Sequence, residues 1–292
     1  MTTCQEWTVG EVRIRRVMEI PPLDIPGTIL LPDATPETVR TIDWLVPDFA
    51  TAAGNFLFSF QSFLLFVDGL RIIIDTCIGN HKANAVPPIH LLDTRFLESL
   101  AEAGAPAETV DIVLCTHLHF DHVGWNTRLQ DGNWVPTFPK ARYLFGKEEW
   151  NHARLHEPHE GSLNDHIAQS VTPIFEAGLV DLIDTDHRIG KSIRLKHTPG
   201  HTPGHVSIWI ESGGESAVIS GDMFHHPIQC AHPNMGSNFC FDPNRANATR
   251  LEFLRQIANT DTLLIGSHFA GPTAGYVVGS RDSWKLDVHH RS

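Results

Sequence analysis

Several signatures are missing from this 292-residue sequence, and each absence removes a class of function. No apolar run reaches the roughly 20 residues that span a bilayer. The longest candidate, Phe56 to Ile74, is interrupted by Ser59, Gln61, Ser62, Asp68 and Arg71. Met1 to Gly10 has no basic patch leading into an apolar stretch, so no signal peptide is expected. Positive charge is scarce: 22 Lys+Arg against 34 Asp+Glu give a net charge of −12. That balance argues against a nucleic-acid or anionic-membrane partner. Cys4, Cys77, Cys115, Cys230 and Cys240 are odd in number and form no CxxC pair. Reduced thiols in a cytoplasmic protein are therefore expected rather than a disulfide framework. There is no glycine-rich phosphate cradle before a helix, no GxSxG nucleophile elbow and no repeat of solenoid spacing.

What the sequence has in excess is histidine: 19 residues, many in short runs, a surplus that fits metal binding. Around them the pattern alternates strands and helices. Glu11 to Ile20 reads as a strand, and the proline-rich stretch from Pro21 to Pro47 as a long irregular loop. Phe58 to Val67 and Leu70 to Thr76 are β-rich runs joined by Asp68-Gly69, a two-residue hairpin signal. Asp93 is placed to cap a helix over 94–103 that Gly104 ends. Val110 to Cys115 is a short buried strand, Ala141 to Phe145 another, and Lys147 to Leu155 a helix. The polar segment 156–164 reads as an insertion, and helical spacing of Ile167, Val171, Ile174 and Phe175 follows until Gly178. Strands are expected at 179–183, 192–197, 206–211 and 216–219, then a helix over 244–258 and a final strand at 262–265. This order predicts one α/β domain over residues 1–292, with 21–53 a long N-terminal loop or dimer arm, built from two mixed sheets between outer helices.

The chemistry concentrates in Thr116-His117-Leu118-His119-Phe120-Asp121-His122, directly after the buried strand 110–115. Residues two apart at a strand end point the same way, so His117 and His119 can share one metal, while Asp121 and His122 can turn to a second. Imidazole nitrogen with some carboxylate oxygen suits Zn²⁺. Three further candidates follow predicted strands: His201 after 192–197, Asp222 after 216–219, and His268 after 262–265. A glycine (Gly200, Gly221, Gly266) lies just before each, permitting a tight turn there.

The HxHxDH run, then GHTPGH, then Gly-Asp, then a late Ser-His, in this order, resembles the metallo-β-lactamase superfamily from about Phe56 to His268. The resemblance implies the four-layered αββα sandwich and a dinuclear zinc centre, with manganese or iron as alternative metals. It gives His117, His119 and His201 to the first ion, Asp121, His122 and His268 to the second, and Asp222 to both. A hydroxide bridging the ions would be the nucleophile, and Asp121 would accept a proton or deliver one to the leaving group. Histidine at 119 keeps the hydrolytic pattern, where redox di-iron relatives resemble HxExD. Aspartate at 222 departs from the exported zinc β-lactamases, which carry cysteine there.

The HLHFDH run is similar to that of bacterial quorum-quenching lactonases, in which a tyrosine three residues after the bridging aspartate holds the substrate carbonyl. Here that place is His225, which either donates the same hydrogen bond or forms pocket wall. The resemblance thus implies a hydrolase for a small-molecule lactone or carboxylic ester, which the cysteine pattern sets in the cytoplasm. Methyl-parathion-type phosphotriester hydrolysis, thioester hydrolysis similar to glyoxalase II and a non-catalytic metal-binding protein are the alternatives. No nucleic-acid or membrane partner is implied, and a homodimer is compatible. His205 is expected to orient its loop rather than bind metal. Trp125 either narrows the pocket or packs. His225, His226 and His232 with Cys230 and Cys240 are read as ordinary loop residues rather than a third metal site, and Cys115 as inert packing.

Overall fold

The computed structural model describes residues 5–84, 87–156, 165–280 and 283–289. Close contacts divide the chain into two units, Met1–Ile20 with Phe60–Thr185, and Pro21–Ser59 with Asp186–Ser292. Two seven-stranded sheets and a separate two-stranded ribbon are interleaved with helices, which is the expected α/β class.

The first sheet runs β1 (Glu6–Val9), β2 (Val12–Ile25), β3 (Phe56–Val67), β4 (Leu70–Ile74), β5 (Ile112–Leu114), then β8 (Arg142–Gly146) and β9 (Val180–Ile183). β3 and β4 are antiparallel, and their turn is the predicted Asp68-Gly69, with φ of +52° and +79°. Positive φ at both central residues is what a type I′ hairpin demands. From β4 onward the pairs are parallel. The intervening β6 (Thr127–Gln130) and β7 (Asn133–Pro136) form the ribbon around Asp131-Gly132, with φ of +51° and +80°. The core of this unit joins Leu64, Ile73, Val113, Tyr143 and Phe145 to Phe96, Leu100, Val171 and Ile174 from its helices. Trp125 belongs to that core: 4% exposed, its ring 5.6 Å from Phe96, it packs rather than narrowing a pocket.

The second sheet follows chain order: β10 (Arg188–Ile189), β11 (Ile193–His197), β12 (Val206–Ser212), β13 (Glu215–Ile219), β14 (Thr262–Ile265), β15 (Ala274–Ser280) and β16 (Ser283–Asp287). All its pairs are antiparallel except β13 with β14. That parallel step needs a crossover, and the helix Pro243–Ile257 supplies it. Asp242 caps this helix by accepting the Arg245 N–H at 2.9 Å, and Pro243 opens it where no donor is missed. Its buried face is Ala246, Arg250, Phe253, Leu254 and Ile257, packed through Phe253 against Trp209 and Phe224.

Several local expectations are corrected. The Glu11 to Ile20 strand runs on to Ile25, across two prolines that the sequence pattern assigned to loop. The rest of the proline-rich stretch is partly ordered, with a helix at Pro36–Arg40 whose cap is Thr35. Asp93 does not cap the helix Phe96–Glu102; Arg95 occupies that place without a side-chain bond, while Thr94 N–H is taken by Asn80 Oδ1 at 2.7 Å. The helix expected up to Gly178 begins as a π turn, Ile167–Val171, before Thr172–Glu176. Of the insertion at 156–164, positions 157–164 lie outside the described residues. Cys77, Cys115, Cys230 and Cys240 are free thiols, as expected; Cys4 lies outside the described residues. Among the described residues no helix is long and apolar enough to cross a membrane.

Candidate metal centre

In the first unit the His117 to His122 run leaves the C-terminal end of β5, and residues Phe120–Val123 form one helical turn. That turn is strapped to the segment after β4. Thr76 N–H donates to the His122 carbonyl (2.7 Å), Gly124 N–H to the Cys77 carbonyl (2.7 Å) and Trp125 N–H to the Thr76 carbonyl (2.9 Å). The approach is so close that a Cβ on Gly124 would stand 1.8 Å from the Ile78 oxygen. Asp75, buried and at φ +55°, is the anchor. Its Oδ1 accepts the Thr116 N–H at 2.7 Å, and its Oδ2 accepts from His122 Nδ1 at 2.8 Å. A carboxylate accepts and does not donate, so the His122 proton sits on Nδ1 and the lone pair on Nε2. His117 Nδ1 lies 3.1 Å from Thr116 Oγ1. The rings of His117 and His119 are 4.7 Å apart, those of His117 and His122 4.0 Å. Asp121, the more exposed member, has Oδ2 3.8 Å from His122 Nε2. Glu149, also buried, accepts the Leu118 N–H at 3.1 Å.

Further back, Glu19 is buried and accepts from Ile78 N–H (2.8 Å), Gly79 N–H (3.0 Å) and Trp125 Nε1–H (2.6 Å). Burial outweighs these bonds and pushes its carboxyl up to about 7. Lys82, buried between Thr127 Oγ1 (3.0 Å) and the face of Trp134 (3.6 Å), is pulled down to about 7 by the same cause.

In the second unit His201, Asp222 and His268 follow β11, β13 and β14, all near strand ends, as the sequence predicts. Two of the three glycines adopt positive φ, +135° at Gly200 and +54° at Gly221. Gly266 does not; it is there because a Cβ would enter the Phe269 ring at 2.2 Å. Asp222 is the hub. Its Oδ1 lies 3.1 Å from His268 Nε2, and its Oδ2 lies 3.4 Å from Nε2 of both His201 and His225. One donor atom from each of His201, Asp222 and His225 lies within 4.8 Å of the others. His268 donates Nδ1–H to the Ser59 carbonyl at 2.9 Å and stacks on Phe58 at 4.4 Å. His205 orients the hub as expected: its Nδ1 reaches Thr198 at 2.8 Å (Oγ1) and 3.1 Å (O), and its Nε2 accepts the Asp222 N–H at 2.9 Å.

The donor chemistry fits a metal cation. With Nδ1–H committed to a carbonyl, neutral His268 turns a lone pair at the Asp222 oxygen 3.1 Å away. Two acceptors face each other there, and only a proton or a cation between them makes the contact favourable. Tying Nδ1 so that Nε2 can ligate is the usual support for metal-binding histidine.

His226, read from sequence as a loop residue, is a core histidine. It is fully buried, stacked 3.7 Å from Phe56, and donates Nε2–H to the Phe49 carbonyl at 2.7 Å; burial lowers it to about 3. Cys115 is buried, and burial raises its thiol well above the usual range, consistent with inert packing. Sequence reasoning missed Asp75, Glu149 and Glu19. Each is a single acidic residue outside any motif.

The family model of the metallo-β-lactamase superfamily matches residues 58–268, and the chain belongs to that superfamily. Among curated relatives, an N-acyl homoserine lactonase of Bacillus sp is 26% identical over 141 residues, 48% of this chain and 49% of its own length. The chain thus spans about half the length of the lactonases it matches. Probable metallo-hydrolase YybB of Bacillus subtilis (strain 168) is 26% identical over 186 residues, 62% of this chain and 75% of its own length. Among solved structures, the hydrolase AbOPH of the β-lactamase superfamily superposes with a TM-score of 0.80 at 23% identity, covering 99% of this chain and 98% of that one. AidC, described as a dizinc quorum-quenching lactonase, gives a TM-score of 0.78 at 20% identity with the same coverage. These likenesses carry the fold: two large sheets flanked by helices, as the superfamily resemblance implies.

Proposed function

We propose that this protein is a metal-dependent hydrolase that opens a lactone or cleaves a carboxylic ester. His117, His119, Asp121, His122, His201, Asp222 and His268 would hold two divalent cations, zinc foremost. The observation that carries the reading is the Asp222 hub, a buried carboxylate with three imidazole Nε2 atoms around its two oxygens. The family match, 58–268, contains all seven residues. Two such cations supply Lewis acidity toward the scissile carbonyl and lower the pKa of a coordinated water toward neutrality.

The chain's own residues do the rest. Asp75 and the Ser59 carbonyl fix the rings of His122 and His268, and His205 fixes the backbone of Asp222. His225, which the lactonase resemblance sets in the place of a carbonyl-holding tyrosine, donates a hydrogen bond to the substrate carbonyl in this proposal. Asp121, the acidic group with the greater exposure, takes up the proton that the attacking water gives up and passes it to the departing alkoxide.

The test is turnover by the metal-loaded enzyme of a matched panel: acyl-homoserine lactones, aryl esters and a phosphotriester. Preference for lactones is expected, with His225→Phe lowering kcat at unchanged metal content. Preference for the phosphotriester would replace the substrate class, and inertness toward the whole panel would refute the enzymatic reading.

A further inference from the structure

The helix Pro243–Ile257 carries a charged side chain on its buried face. Arg250 is 0% exposed, in line with Ala246, Phe253, Leu254 and Ile257, where the helical pattern calls for an apolar residue. Among the described residues no carboxylate is a hydrogen-bond partner of Arg250. Nε donates to the Met223 carbonyl at 2.8 Å; Nη1 donates to the Pro233 carbonyl at 2.7 Å, the Met235 carbonyl at 3.4 Å and Asn247 Oδ1 at 2.9 Å. Burial lowers the guanidinium to about 10, so it remains charged at neutral pH. Burying a cation against neutral oxygens alone is costly, and a leucine or methionine would fill the volume without that cost.

What the guanidinium accomplishes is geometric. Met223 directly follows Asp222, so one bond fixes the peptide on the far side of the hub carboxylate. The Met235 carbonyl also accepts from Gln229 Nε2 at 2.9 Å. Gln229, itself fully buried, offers Oε1 to the main-chain N–H of His225 at 2.8 Å and of His226 at 3.4 Å. The backbone from 223 to 226 is therefore pinned at its carbonyl and at two amides by a buried arginine–glutamine pair that shares one carbonyl.

We propose that Arg250 is a positioning residue: through Met223, and with Gln229 through His225, it sets the backbone that aims the Asp222 carboxylate and the His225 ring. The inference rests on Asp222 being a metal ligand, as proposed above. Arginine is required because a planar fork reaches carbonyls in separate directions, whereas a lysine ammonium is a single point.

The test uses the full chain loaded with Co²⁺, reading the visible d–d absorption and the affinity from competition with a chelator. The variants are Arg250→Met, Arg250→Lys and, as a packing control, Leu254→Ala, whose side chain is equally buried one turn along the same helix. Arg250→Met is expected to alter the spectrum and to lower cobalt affinity about 10- to 100-fold, the usual scale for groups that orient ligands. Arg250→Lys should recover part of both. Leu254→Ala should lose thermal stability yet keep the wild-type spectrum. Wild-type spectrum and affinity in Arg250→Met would overturn the proposal, as would an equal spectral change in Leu254→Ala. If Arg250→Met does not fold, Arg250→Lys decides: a single ammonium replaces two nitrogens that donate separately to the Met223 and Pro233 carbonyls, so an unchanged spectrum overturns the proposal. Failure of the wild-type protein to take up cobalt would instead sink the assignment of Asp222 as a ligand, and this inference with it.

Discussion

Asp75→Asn exchanges one oxygen for an amide nitrogen at nearly constant volume, yet it should disable a ligand. In the native protein Oδ1 accepts the Thr116 N–H at 2.7 Å and Oδ2 accepts His122 Nδ1–H at 2.8 Å, both buried. An asparagine has one acceptor oxygen, and its NH₂ must face one of these two donors. The Thr116 amide cannot give up its proton, but an imidazole can change tautomer. The new amide therefore turns its NH₂ to His122, draws the lone pair onto Nδ1 and sends the proton to Nε2, where it blocks a metal. Loss of a charge-assisted bond costs about 1.5–3 kcal/mol. At 1.4 kcal/mol per tenfold, that is roughly a 10- to 100-fold loss of affinity. The assay is zinc affinity by chelator competition, with a thermal melt on the same sample. Unchanged affinity in a folded Asp75→Asn protein would refute the tautomer argument.

Three further outcomes follow from the same contacts. The Glu19 carboxyl titrates near 7 when folded against 4.5 in the unfolded chain, so its contribution to stability is full below pH 4.5 and is lost as pH rises to 7. Glu19→Gln should remove that slope, worth on the order of 3 kcal/mol, from stability–pH curves measured by urea melts; parallel curves for mutant and wild type would contradict it. Gly124→Ala drives a methyl into the Ile78 oxygen, a main-chain atom that cannot swing away, and should lower the melting temperature by roughly 5 °C or more. A melt unchanged within a degree would show that the two loops are not locked. His205→Phe leaves the buried Asp222 N–H without its 2.9 Å acceptor, so stability should fall by about 1–3 kcal/mol and metal affinity with it; retention of both would make His205 a spacer.

The elements that place the ligands were the most legible part of the sequence. The Asp68-Gly69 hairpin, the short buried strands and the helix after Asp242 have strong local signals, and each was found to within a few residues. The ribbon at β6 and β7 carries the same Asp-Gly signal, but the alternation between Thr127 and Pro136 is too weak to mark its strands. Strand β2 crossing Pro21 and Pro22 was not legible, since proline demotes a strand in any local reading. The candidate ligands are named by a dense motif. Their supports are not: Asp75, Glu149 and Arg250 reach the site through contacts distant in sequence, Gln229 through a local one to His225, and no spacing rule marks a lone polar residue for burial. Arg250 is the clearest case: its apolar neighbour Leu251 is only partly buried, whereas the arginine is fully so.

The measurement that bears most directly on the central claim is the metal content of the purified chain by elemental analysis, before and after a chelator, with ester turnover followed in parallel. The account predicts two equivalents of divalent cation per chain, lost together with activity on chelation and restored together with it by zinc. A chain that is metal-free as purified, and stays so after incubation with zinc or manganese, would contradict it.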